Sequence, residues 1–325
     1  MEKVTMADVA KAAGVSKSTV SQYLNNRFEY MGEKTKQKIE EAIEALGYQP
    51  NYIARSLKQK RTSMVGIIVA NIMHYFSTEV SRAIEDYCNH HDLHAIVCNA
   101  DDDPEKEKKY IDMLRAKQVD GLIIFPTGQN NQLYENMIRQ GYPVVFMDRK
   151  VQNLSVFSIV TNNRESTYRA IQQFVANGHR RIAFAVQPLK VSTRTERFEG
   201  YQLAMKDAGL EINPDYVIES DIPGMKSKLE ELFSLEERPT AIFAGNDRVF
   251  LEVVRCLRDK GLKIGQDIEL VVFDNIPFAQ VVETQVTFII QPASEMGTKA
   301  AELLFEQINK VDREPEEFVF PSKLV

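Results

Sequence analysis

Tryptophan is absent, cysteine occurs only three times, and no apolar run is long enough to cross a membrane. The best such run, Met64–Ala70 and a little beyond, is strand-sized, against the roughly 18 residues a spanning helix needs. Cys88, Cys98 and Cys256 are odd in number and scattered, which suits free thiols in a reducing compartment rather than a disulfide framework. The opening Met-Glu-Lys-Val-Thr has no apolar signal core, so a cytoplasmic location and no membrane association are expected. Among the 15 glycines no two stand two apart and none precedes lysine, which excludes both a GxGxxG turn and a Walker A loop. There is no GxSxG elbow and no HExxH pair either, so the sequence points to no enzyme, no cofactor and no metal.

What is present is an ordinary globular composition, 44% apolar and 26% charged over 325 residues, enough for two domains or so. The net charge of −6 would argue against nucleic acid, but it is an average over unlike regions. Residues 1–61 hold eleven Lys and Arg against seven Asp and Glu, a local +4. The remaining 29 cations and 39 acids give −10. A small basic head on a large acidic body fits a nucleic-acid module joined to something else.

The head carries three helical signals. Thr5, with Asp8 three residues on, starts a helix over 6–13 in the manner of a capping box. Ser16 caps a helix over 17–25, with Val15 placed to staple onto Val20. Ile39, Ala42, Ile43 and Leu46 recur at helical spacing, giving Glu33–Leu46 closed by Gly47. Only Gly14-Val15-Ser16 separates the first two, which makes them a helix-turn-helix. After Pro50, the stretch Asn51–Lys58 is helix-capable, short and followed by Lys-Gln-Lys-Arg; it reads as a linker that orders on a partner.

From Met64 the pattern becomes apolar runs alternating with amphipathic helices. Strands are expected at 64–70, 95–98, 121–125, 143–147 and 158–160, then at 182–186, 241–244, 270–273 and 287–290. Helices are expected at 77–90, 104–117, 164–177, 195–208 and 248–260. That alternation means parallel, doubly wound α/β units, and two series mean two units with ligand sites at the strands' carboxyl ends. His90, His91 and His94 form a small cluster read as an exposed helix end, and Asp101-Asp102-Asp103 as the cap of the helix that begins at Pro104.

The stretch Val4-Thr5-Met6-Ala7-Asp8-Val9-Ala10-Lys11-Ala12-Ala13-Gly14-Val15-Ser16-Lys17-Ser18-Thr19-Val20-Ser21 resembles the opening of LacI/GalR-family transcription repressors. Pro50-Asn51 and Ala54…Leu57 resemble that family's hinge helix, and Gly66-Ile67-Ile68 the start of its sensor. Further matches run along the chain: Val119-Asp120-Gly121-Leu122-Ile123, Gly178-His179-Arg180-Arg181-Ile182, Arg197-Phe198-Glu199-Gly200-Tyr201, Arg238-Pro239-Thr240-Ala241, Asn246-Asp247 and Phe273-Asp274-Asn275. Within the family the resemblance is nearest to regulators of 2-keto-3-deoxygluconate (pectin-degradation) operons of Bacillus-like bacteria. The fold it implies is an all-α helix-turn-helix head plus an α/β periplasmic-binding-protein-like sensor made of two doubly wound parallel-sheet subdomains. The domains would be a DNA-binding head over 1–48, a hinge over 49–62 and an effector-binding and dimerisation domain over 63–325. Its N-subdomain would take about 63–162 and 292–325, and its C-subdomain about 163–291.

On a helix starting at Lys17, the residues Lys17, Ser18, Ser21 and Gln22 share one face opposite Val20 and Leu24. The resemblance puts base reading at Lys17, Ser18 and Gln22; many relatives carry arginine where Gln22 stands, so an adenine preference replaces a guanine one. Phosphate positioning alone is the plainer reading for Ser18 and Ser21. Thr5, Ser16, Thr19, Asn25, Thr35, Tyr48, Asn51 and Ala54 are DNA contacts by the same analogy, and Leu57 is a minor-groove wedge. In the sensor the resemblance gathers Tyr75, Phe76, Arg149, Asn162, Arg197, Asn246, Asp274 and Gln291 around an effector. Asn162-Asn163 departs from the family's Asp-Asn, and Val191 and Ile222 stand where some relatives carry polar or aromatic contacts. Carboxylates and amides take sugar hydroxyls, and two arginines, Arg149 and Arg197, would suit a carboxylate. Alternatively Asp274 neutralises Arg197, Asp148-Arg149 is a surface pair, and Tyr75 and Phe76 are core.

The expectation is therefore a homodimer on pseudo-palindromic double-stranded operator DNA, answering to a small sugar or sugar-acid effector. With no leucine-heptad tail after Phe318-Val319-Phe320, a dimer is expected and not a tetramer. The rivals are a sugar-binding protein without a regulatory role and an α/β enzyme with a DNA module.

Overall fold

The computed structural model describes residues 4–49, 61–282 and 285–325. The chain divides into two compact units, Met1–Thr62 and Ser63–Val325.

In the first unit, α1 (Met6–Ala13), α2 (Lys17–Leu24) and α3 (Glu33–Leu46) pack around Val9, Ala10, Ala13, Val20, Ile39 and Ala42. Asp8 Oδ2 accepts both the Thr5 N–H (2.8 Å) and the Thr5 hydroxyl (2.6 Å), and Ser16 Oγ accepts the Thr19 N–H at 3.1 Å. Gly14 closes α1 at φ 64°, a left-handed conformation that side chains resist and that turns the chain into α2 within three residues. Val15 packs on this core, of which Val20 is a member.

The second unit holds two six-stranded sheets, one per lobe. The first contains β1 (Met64–Val69), β2 (His94–Asn99), β3 (Gly121–Ile124), β4 (Val144–Met147), β5 (Phe157–Thr161) and β11 (Glu317–Phe320), in the order β11-β5-β4-β3-β1-β2. The second contains β6 (Ile182–Val186), β7 (Val217–Glu219), β8 (Ala241–Ala244), β9 (Glu269–Phe273), β10 (Val286–Ile290) and β12 (Lys323–Leu324), in the order β12-β10-β9-β8-β6-β7. All pairings are parallel except β10 with β12. β3, β4 and β5 are buried along their whole length, as parallel strands covered on both faces must be.

The helices are α4 (Tyr75–His90), α5 (Pro104–Ala116), α6 (Asn131–Arg139), α7 (Asn163–Ala176), α8 (Ser192–Asp207), α9 (Ile222–Leu232), α10 (Asp247–Asp259), α11 (Pro277–Val282) and α12 (Ala293–Ile308). In the first lobe α12 and α4 pack against one face of the sheet through Val80, Ile84, Met296, Ala300 and Leu304. In the second, α7 and α8 do the same through Ile171, Phe174, Tyr201 and Met205.

Among the described residues every expected strand and helix forms within three residues of its expected bounds, but periodicity did not pick out α6, α9, α11, α12, β7 or the last two strands. One assignment is corrected. Residues 292–325 do not all belong with the first lobe, because β12 adds to the second sheet beside β10. Only Pro321 and Ser322 separate it from β11 in the first sheet, so the chain changes lobe there a third time.

Candidate functional site

In the head, Lys17, Ser18 and Gln22 are exposed on α2, Ser21 and Thr19 are half-buried, and Val20 faces the core. Several other expected contacts have structural work already. Thr5 is bound to Asp8, Ser16 caps α2, and Asn25 Nδ2 donates to the Ser21 carbonyl at 2.6 Å. Thr35 is half-buried in the first turn of α3. Tyr48, a DNA contact by the family analogy, is buried in the head's own core. Asn51, Ala54 and Leu57 lie outside the described residues.

In the sensor, the carboxyl ends of the strands of both lobes face one cleft, the place where open α/β sheets bind ligands. Ala70, His74, Phe76 and Ser77 reach it from the end of β1 and the start of α4, Phe125 from the end of β3, and Asp148 and Arg149 from the end of β4. Thr193, Arg194 and Arg197 come from α8, Asn246 from the turn after β8, Asp274 from the end of β9, and Gln291 from the end of β10. Two expected residues are corrected. Tyr75 is not in the lining; its backbone N–H donates to Asp247 Oδ2 at 2.9 Å and its side chain is partly exposed. Asn162 lies at the interlobe crossing, where its Oδ1 accepts Ser166 Oγ and the Ser322 N–H, both at 2.9 Å. Its neighbour Asn163 is the one that meets the cleft's chemistry, accepting Arg197 Nε at 2.8 Å.

Arg149 is no surface pair: it is buried, with Nη2 2.7 Å from Asp102 and Nε 3.7 Å from Asp148. Arg194 reaches the other oxygen of the same Asp102 at 2.7 Å from the opposite lobe. Burial would raise the Asp102 carboxyl, but Arg149 and Arg194 together outweigh it and hold the group below the usual carboxylate range. Arg197 lies flat on Phe273, 3.5 Å from the ring centroid, and donates Nη1 to the Gly245 carbonyl at 2.7 Å. Phe76 is buried at the cleft floor, edge-on to Phe125.

Asp148 and Asp274 end matching strands of the two sheets, both at positive φ, 70° and 112°. Such values are costly for a side-chain-bearing residue and recur at ligand sites. Burial pushes both carboxyls up, Asp274 to about 7, where nearby Asp247 adds to the effect and Arg197 and His74 oppose it. Gln291 Nε2 donates to Asp274 Oδ1 at 2.6 Å. Asn246 caps α10 by accepting the Val249 N–H at 3.0 Å and donates Nδ2 to Gln187 at 2.8 Å.

Several cleft residues were invisible to sequence reasoning. His74 Nδ1 meets Asp247 Oδ1 at 2.5 Å across the lobes. His74, Asp247 and Asp274 place ligand atoms within 4.8 Å of one another, donor types a divalent ion accepts. Asp247 stands out in the sequence only within the Asn246-Asp247 family match, and Arg194 falls in an expected loop because helix α8 begins three residues earlier than its periodicity indicates. The Asp101–Asp103 run divides three ways. Asp103 caps α5, Asp101 holds Lys106 at 2.5 Å, and Asp102 turns to the cleft arginines. His90 and His91 are exposed, each bonded through Nδ1 to a carbonyl of α4, as the plain reading of that cluster has it. The three cysteines are buried, and burial raises their thiols, Cys88 to about 11, so none is primed to react.

Comparison with known proteins gives one answer along the chain. The profile described as "Bacterial regulatory proteins, lacI family" matches residues 5–51. The one described as "Periplasmic binding proteins and sugar binding domain of LacI family" matches residues 62–325. The probable HTH-type transcriptional regulator EndR of Paenibacillus polymyxa is 43% identical, with 96% of this chain and 93% of that protein covered. The HTH-type transcriptional regulator KdgR of Bacillus subtilis is 31% identical over 99% and 96%. Among solved structures, the lac repressor dimer bound to operator and the anti-inducer ONPF superposes with a TM-score of 0.87 at 25% identity, covering 100% of this chain and 98% of that one. These relatives are transcriptional regulators and not enzymes. A helix-turn-helix head joined to a two-lobed α/β sensor, matched from end to end by regulators, makes this chain a DNA-binding member of the LacI family of bacterial transcriptional regulators.

Proposed function

We propose that the protein is a cytoplasmic repressor of a carbohydrate-catabolism operon that binds a pseudo-palindromic operator as a homodimer and is switched by a small sugar or sugar acid. The single observation that carries this is the cleft. Groups suited to hydroxyls converge on it from both lobes, at the strand ends where open α/β sheets bind ligands. The lac repressor's solved complex, a dimer on operator, supports the DNA half of the reading. Lys17, Ser18 and Gln22 read bases from α2, Ser21 assists at the phosphates, and Leu57 wedges the minor groove. The effector acts through unequal affinity for the DNA-competent and DNA-incompetent states, by changing how the lobes close.

The test is anisotropy of the full chain on a duplex it has selected from a random pool. Steep loss of binding with salt and a shift on adding sugars are expected. Salt-insensitive binding, or turnover of the sugar, would sink the proposal. Among sugar acids, 2-keto-3-deoxygluconate is the first to try, and the neutral sugars form the other arm.

A further inference from the structure

We infer that the cleft takes a neutral, hydroxyl-rich sugar and discriminates against the matching sugar acid, and that Asp102 sets this choice. The inference rests on the reading of the cleft as the effector site. Three arginines line the cavity, which at first sight invites an anion. Recognition of a carboxylate by a guanidinium is strongest when two neighbouring nitrogens are free to form a fork. None of the three offers that. Arg149 commits Nη2 to Asp102 at 2.7 Å and Nη1 to the Pro126 carbonyl at 3.4 Å. Arg194 commits Nη2 to Asp102 at 2.7 Å and Nη1 to the Pro188 carbonyl at 3.1 Å. Arg197 commits Nε to Asn163 and Nη1 to Gly245, leaving only Nη2.

The charge balance points the same way. Arg149 and Arg194 are answered by Asp102 and Asp148, Asp274 faces Arg197, and Asp247 is taken by His74, so the cleft holds no uncompensated cation to draw in a ligand carboxylate. Asp102 itself is outside the lining. It sits behind Arg149 of one lobe and Arg194 of the other and neutralises both without filling the cavity.

The cleft's unmet needs are also those of a hydroxyl-binding site. Among the described residues, the acceptors Asp148 Oδ1 and Gln291 Oε1 and the donor Arg149 Nε are buried in the cleft lining without a hydrogen-bond partner. Leaving such atoms unpaired costs roughly 1–3 kcal/mol each, more if charged. A hydroxyl both donates and accepts and so answers all three; an ionised carboxylate, with no proton to give, answers only the Arg149 donor.

Matched pairs that differ only at C6 test this on the full chain: glucose against glucuronate, and galactose against galacturonate, by calorimetry at pH 7.5 and fixed salt. In the wild type the neutral member should bind at least about tenfold more tightly. In Asp102→Asn, whose folding is checked by thermal melting, the ratio should move at least about tenfold toward the acid. Three results would each overturn the inference: a wild type that prefers the acid, an unchanged ratio in a folded Asp102→Asn, or no binding of either member of either pair. The wild-type arm decides the matter even if the variant does not fold. Operator binding without sugar is measured on the same preparation, and its loss counts against the regulator reading alone.

Discussion

The two lobes repeat one backbone and diverge in charge. Each sheet has the same strand order, and each places a buried aspartate at positive φ after the equivalent strand, Asp148 after β4 and Asp274 after β9. In the first lobe the next residue is Arg149, which together with Arg194 from the other lobe balances Asp148 and Asp102. In the second the next residue is Asn275; Asp274 has the Gln291 amide, with Asp247 nearby raising it further. The fold supplies two equivalent corners, and single side chains decide which is electrically settled and which is strained.

The sharpest way to break this comparison is Arg149→Met. Removing one partner of a buried ion pair leaves its acids uncompensated, so urea denaturation should show a loss of about 3–5 kcal/mol. A loss below about 1 kcal/mol would mean that water, not Arg149, balances the corner. The opposite sign is expected at the other corner. With Asp274 raised from 3.8 to about 7, the native state holds its proton longer than the unfolded chain does. The wild type therefore loses stability from this group as pH rises from 3.8 to about 7, and the penalty stays above that. Asp274→Asn should melt with the wild type near pH 4 and several degrees above it at pH 8. Equal melting at both pH values would contradict the strained corner.

The lobes also share a tight helix crossing. A Cβ at Gly200 in α8 would strike the Arg164 carbonyl, and one at Gly297 in α12 would lie 2.7 Å from that of Val80. Gly200→Ala should cost about 1–3 kcal/mol and Gly297→Ala somewhat less, since the second clash is milder. Equal costs would show that the second lobe yields as easily as the first. The smallest effect is expected beside the balanced corner itself. Asp101→Asn removes a half-exposed partner of Lys106 and should change stability by under about 1 kcal/mol.

Much of the architecture was legible because it is written in short-range patterns. The strands of the first sheet are apolar runs such as Gly121–Ile124, and Thr5, Ser16 and Gly14 mark the ends of the head helices. The last strands were not legible, since Glu317–Phe320 and Lys323–Leu324 are short, partly exposed edge strands with little apolar signal. In the cleft, Phe76, Arg149, Arg197, Asn246, Asp274 and Gln291 were found through family resemblance, which transfers positions. What it could not transfer was partnership. That Asp102 faces Arg149 and Arg194, or that His74 meets Asp247, depends on strand ends brought together from distant parts of the chain.

The double crossing near the end of the chain bears on how the protein is made. Both sheets wait for their final strands until residues 317–324 have been synthesised, and the first lobe also needs α12, over 120 residues after its fifth strand. The second lobe, nearly continuous from 163 to 290, has most of its core in hand earlier. On the ribosome the lobe begun second therefore has most of its core assembled first, although each sheet gains its last strand only at the end of synthesis. The half-built first lobe, with its fifth strand as a bare sheet edge, is the stage most exposed to mispairing with another nascent chain.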